Sequence, residues 1–138
     1  MKILNPSGWP RPKGYSNGIA ARGTLVFIAG TVGWNPRTEK FESTDFVDQF
    51  KQALLNIREV MTEAGALPEH MTKMTWYLTD KGVYLSRRTE VGAAYREVMG
   101  KIFPAMAVVE INGLMEQDAK IEIEAVCVIP DNEPPMSL

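Results

Sequence analysis

Cysteine and histidine are nearly missing from this chain. One of each, Cys127 and His70, occurs among 138 residues, so no internal disulfide can form and neither a cysteine cluster nor a histidine pair is at hand to bind zinc. Long apolar runs are missing too. Nothing approaches the roughly 18 uninterrupted apolar residues that a membrane-spanning helix needs, and the opening "MKILNPSGWPRPKG" places prolines where a secretory leader would carry its apolar stretch. These features predict a cytoplasmic chain without membrane contact. Excess positive charge is absent as well, since 15 Lys and Arg face 17 Asp and Glu for a formal net charge of −2. The basic residues are scattered, whereas a phosphate-neutralising surface gathers them, so no nucleic-acid partner is expected.

What remains is the composition of a globular protein, 45% hydrophobic and 23% charged, which excludes the disordered and fibrous classes. Its length fits one domain over 1–138, with a proline-bearing arm (1–13) running extended over the surface and a polar, flexible tail (130–138). Trp9 in that arm needs a cover. In "GIAARGTLVFIAG" two short strands break at Arg22-Gly23. Leu25, Phe27 and Ala29 share one face and Val26, Ile28 and Gly30 the other, both apolar, which predicts burial on each side. Asn35-Pro36 marks a turn. Ser43 or Thr44 is positioned to cap a helix carrying Asp45 and Asp48 in its first turn, with apolar residues recurring from Phe46 to Ala64 and Gly65 as its stop. A Thr- and aromatic-rich strand, "MTKMTWYLTD", follows. The spacing then predicts a second helix from Tyr84 to Met99, whose inner stripe includes Leu85, Arg88, Val91 and Tyr95.

"AMAVVEING" and "AKIEIEAVCVIP" complete a β, β, α, β, α, β, β order. The fold class is α+β, a mixed sheet with two helices on one face. In the last strand Ile121, Ile123, Ala125 and Cys127 share the side that suits helices, and Glu122, Glu124, Val126 and Val128 share the other. That second face must be polar or buried against another chain. Cys127 reads as a small buried hydrophobe, and His70 as a solvated loop residue.

The segments "KGYSNGI", "LVFIAGTVGWNPRT", "QFKQALLNIREVMTEAG", "MTKMTWYLTD", "FPAMAVVEINGL" and "KIEIEAV" resemble, in order and spacing, the RidA/YjgF family of reactive-intermediate deaminases, from about Gly14 to Val128. The resemblance implies a Bacillus chorismate mutase-like subunit in a homotrimer. It also implies small-molecule sites in the clefts between subunits, imine or enamine C–N hydrolysis, and no metal or organic cofactor. Carried over residue by residue, Glu122 matches the glutamate that positions the attacking water, while Tyr15 and Gly30 match substrate-side positions. Ala29 stands for the family's serine, Val108 for a frequent cysteine, and Met106 for the arginine that holds the substrate carboxylate. Thr31, Ala105 and Ala107 flank these positions.

A thioether offers none of the paired hydrogen bonds of a guanidinium. Such a buried contact is worth about 2 to 5 kcal/mol, so its loss costs about 30-fold or more in binding a small 2-imino acid. Arg87 or Arg88 is positioned to replace the cation, or to lie solvated with its stem over apolar surface. Tyr15 suits either a ligand or plain packing, and Glu122 either a water-orienting base or a cross-strand pair. Glu124 reads as structural, paired with a neighbour's Lys or Arg. A trimer that binds metabolites or proteins without catalysis is the alternative, kept open by Met106.

Overall fold

The computed structural model describes residues 1–131. Its elements are strands β1 (Lys2–Leu4), β2 (Gly18–Ala20) and β3 (Gly23–Val32), helix α1 (Phe46–Glu63), strand β4 (Met71–Leu78), helices α2 (Lys81–Ser86) and α3 (Arg88–Met99), and strands β5 (Ala105–Glu110) and β6 (Ile121–Pro130). A single 3₁₀ turn, Pro68–His70, precedes β4. The main sheet runs β3-β6-β4-β5, with β6 antiparallel to both neighbours and β4 parallel to β5. The mixed α+β sheet matches expectation.

The expected cap of α1 is one residue off. Asp45, not Ser43 or Thr44, occupies the N-cap, its carboxylate accepting from the Asp48 N–H at 3.1 Å, while Ser43 Oγ accepts from the Asp45 N–H. At the other end Gly65 takes φ +75°, the left-handed stop that glycine adopts at little cost. Phe50, Ala53, Leu54, Ile57 and Met61 are fully buried along the inner stripe. They meet Met74, Trp76 and Leu78 from β4 and Ile121, Ile123, Ala125 and Cys127 from β6. Each large side chain so buried contributes about 1.5–3 kcal/mol.

The expected second helix is two helices. Asp80 caps α2 by accepting from the Gly82 and Val83 N–H groups, and the chain leaves helical geometry at Arg87 (φ −122°, ψ 26°) before α3 begins. That break resets the rotation, so Leu85 does not join the inner stripe and is 53% exposed. Arg87 is committed here: it donates to the Asp45 carboxylate and, at 2.7 Å, to Glu90. It ties the start of α1 to the start of α3.

Three other features differ from the sequence reading. Lys2–Leu4 pairs antiparallel with Gly18–Ala20 as a separate small sheet, while Trp9 remains 62% exposed. Pro130 closes β6 opposite Gly23, and the rest of the expected tail, 132–138, lies outside the described residues. Leu25 and Phe27, expected to be covered, are 58% and 74% exposed on the sheet face away from the helices. Cys127 is fully buried with Sγ 3.9 Å from Met71 Sδ, and burial pushes its thiol pKa up to about 11. His70 is half-buried, its Nδ1 accepting from the Leu67 N–H.

Candidate functional site

Directly paired residues on neighbouring strands point to the same side of a sheet. Met106 pairs with Met74, and Met74 with Ala125, both buried against the helices. Met106 and Val108 therefore face the helices, and Ala105 and Ala107 face the other way. Glu122 pairs with Tyr77, and Tyr77 with Val109, on the open face. The expected substrate-side residues thus fall into two groups on opposite sides of the sheet.

The first group surrounds Glu122. Strict alternation along β3 puts Gly30 with Ile28 on the core side, but a register shift between Ile28 and Thr31 bends the strand there. Gly30 is turned instead against Glu122: a β-carbon on it would sit 2.9 Å from the Glu122 carboxyl carbon. Among the described residues the half-buried Glu122 makes no hydrogen bond or ion pair. Within the chain the Glu124 Oε1 accepts from the Tyr77 hydroxyl at 2.5 Å. That bond, with desolvation and the nearby charges of Glu124 and Glu122, raises the Tyr77 pKa above its usual 10.0. Ala29 lies on this face beside Phe27, Lys73 and Thr75, and Thr31 donates its hydroxyl to the Ala29 carbonyl at 2.8 Å.

The second group lines a cleft of about 470 Å³ between the β5 edge and α2–α3, closed on one side by Lys13, Gly14 and Tyr15. Ser16 anchors that closing segment, donating its N–H to the Pro104 carbonyl at 3.0 Å and its hydroxyl to the Phe103 carbonyl at 2.6 Å. Met106, Val108, Tyr15 and Arg88 all line the cleft. Its floor is aromatic: Trp76 packs edge-on against Phe50 at 4.7 Å and against Tyr84 at 6.4 Å, and tilted against Tyr95 at 6.0 Å. The Tyr95 hydroxyl donates to the Ile102 carbonyl, and burial raises its pKa. Trp76 Nε1 is buried and, among the described residues, without a hydrogen-bond partner.

One protomer cannot bring the two groups to one small ligand. Gly30 and Val108 sit on the two edge strands of a four-stranded sheet, about 14 Å apart at the usual strand spacing. The sequence reading also missed part of the cleft, namely Lys13, Trp76, Tyr84, Gly92, Arg96 and Phe103. The available signal was Arg88, Gly92 and Arg96 at four-residue steps, which places them on one helix face with an interior glycine between two arginines. Among the described residues no group of His, Cys, Asp and Glu is arranged to hold a metal ion, and no helix is long and apolar enough to cross a membrane.

The family model described as endoribonuclease L-PSP matches residues 10–129. A RutC family protein of Pyrococcus horikoshii is 36% identical over 126 residues, covering 91% of this chain and 95% of that one. The chloroplastic Reactive Intermediate Deaminase A of Arabidopsis thaliana is 33% identical over 115 residues, covering 83% of this chain and 58% of that one. Among solved structures, the Rid protein YyfB of Yersinia pestis superposes with a TM-score of 0.81 at 25% identity, covering 93% of this chain and 98% of that one. Matched along almost its whole length in sequence and in fold, the chain belongs to the RidA/YjgF family.

Proposed function

We propose that this protein is a cofactor-independent hydrolase of imine or enamine C–N bonds, working as a homotrimer with each site shared by two protomers. The aromatic cleft of one subunit holds the substrate, and Glu122 of the next faces it. Glu122 takes a proton from water as the water oxygen bonds to the carbon of the N-protonated imine, giving a neutral carbinolamine. That proton then goes to nitrogen, and as the C–N bond breaks the hydroxyl of the carbinolamine gives its proton back to Glu122, leaving a carbonyl compound and ammonia. Positioned acid–base groups of this kind contribute about 10²–10⁴-fold to a rate. Tyr15 and the β5 backbone around Ala105–Val108 line the substrate side, and Gly30 leaves space for the carboxylate.

The observation that carries this reading is the state of Glu122: half-buried, unpaired among the described residues, and set beside a glycine on a sheet face where Leu25 and Phe27 are bare. A solvated strand glutamate needs no such space. The exposed apolar side chains support a covering subunit, which would also bring a second cleft to the acid. An RNA-cleaving role, the activity named in the matching family model's description, draws no support from a net charge of −2.

The test generates 2-iminobutyrate in place and follows ammonia release. Wild-type protein accelerates it, and Glu122→Gln lowers the rate about 10²-fold or more. Met106 favours a second reading, a trimer that binds ligand without hydrolysing it. Equal rates for wild type, Glu122→Gln and buffer across several imine substrates would establish that reading instead.

A further inference from the structure

A glycine in the middle of a helix costs about 1 kcal/mol relative to alanine, and α3 carries one at Gly92, in the wall of the cleft. Long helical side chains lean toward the helix N-terminus, over the preceding turn. Arg96 does so here: a β-carbon on Gly92 would lie 3.4 Å from Arg96 Nη1. That guanidinium therefore lies back over Gly92 along the cleft wall, with Arg88 one turn further on. Among the described residues neither arginine has an ion-pair partner. Lys13 adds a third cation on the closing segment, and among the described residues no carboxylate lines the cleft.

The same cleft holds the aromatic floor, with the buried Trp76 Nε1, unpartnered among the described residues, inside it. Cations and a cluster of aromatic rings lining one cleft describe a ligand with an anionic end and a flat apolar body. We infer that the cleft selects aromatic carboxylates, with Arg96 and Arg88 holding the carboxylate from helix α3 and the ring lying over Trp76 and Tyr84. This rests on the reading of the cleft as the substrate site. It moves the anion-holding role from β5, where Met106 offers no donor, to α3, and it sets the substrate class as aryl-substituted rather than small aliphatic acids.

Calorimetric titration of the full-length protein with 3-phenylpropionate, propionate and 3-phenylpropionamide separates the contributions. The aromatic acid binds at least about tenfold more tightly than either comparison compound, the scale of one charge-assisted contact or one buried ring. Arg96→Met removes the preference for acid over amide and leaves the preference for the ring. Arg96→Lys, which keeps the charge, retains part of the acid preference. Both substitutions are at an exposed helix position, and a thermal melt checks the fold. Equal affinity for acid and amide, no discrimination between phenylpropionate and propionate, no binding at all, or an Arg96→Met, Arg88→Met double variant that binds like wild type would each overturn the inference. Ammonia release that depends on Glu122 alongside any of these results would leave the hydrolase standing and remove only the substrate class. Arginine-dependent binding without ammonia release would do the reverse.

Discussion

The Glu122 carboxylate fills the place where Gly30 lacks a side chain, its carboxyl carbon 2.9 Å from where a β-carbon would be. The bulge in β3 turns that glycine toward the acid, so a strand irregularity and a carboxylate's position are one feature.

Gly30→Ala is expected to push the end of Glu122 aside while the fold absorbs the added methyl, because the colliding atoms are the far end of a flexible side chain. Imine hydrolysis should fall about tenfold or more, on the scale of about 1.4 kcal/mol of lost transition-state stabilisation, with the melting temperature nearly unchanged. Steady-state kinetics beside a thermal melt measures both. An unaltered kcat would separate Glu122 from the chemistry.

Phe27 is 74% exposed on the open sheet face, and a charge there would be buried wherever that face meets another subunit. Phe27→Asp is expected to convert the proposed trimer to monomers in sedimentation velocity, with the far-ultraviolet circular dichroism retained. The melt should become lower and less dependent on concentration, as stability linked to assembly is lost. A trimer that survives the substitution places the contact elsewhere.

Arg87 holds the Asp45 carboxyl below its usual 3.8 by hydrogen bonding, and it lowers Glu90 in the same way. A carboxylate whose folded pKa is depressed adds stability above its unfolded pKa and loses it as pH falls through the folded value. Asp45→Asn keeps a capping oxygen but removes the charge. The variant is expected to melt below wild type at neutral pH, with the gap closing as pH drops below 3.8. Melting curves across an acid series follow it. Both side chains are partly exposed, so the gap is small, about 1 kcal/mol or less.

Sequence spacing made some of this structure visible. The inner stripe of α1 and the alternation of Ile121, Ile123 and Cys127 against Glu122 and Glu124 are local patterns, and local patterns survive folding when a face is buried. The break at Arg87 was not visible, because apolar spacing continues through it and the partner Arg87 finds there, Asp45, lies 42 residues away. The Gly30 bulge was hidden for a similar reason: alternation assigns a face only while the register holds. In the cleft, Arg88 was found from its odd place in an apolar stripe, whereas Arg96 reads as an ordinary solvated helix residue until Gly92 beneath it is taken into account. The pairing of Lys2–Leu4 with Gly18–Ala20 lay behind prolines that argue for irregular chain.

The placement of Met106 and Glu122 on opposite sides of one sheet has a genetic consequence. Where each centre borrows its acid from a neighbour, a Glu122→Gln subunit and an Arg96→Met subunit carry complementary defects. Unfolding and reassembling the two impaired proteins in equal amounts should return at least about one quarter of wild-type turnover, the random share of centres that receive both intact halves in a closed ring. Each protein reassembled alone would stay at its own lowered rate.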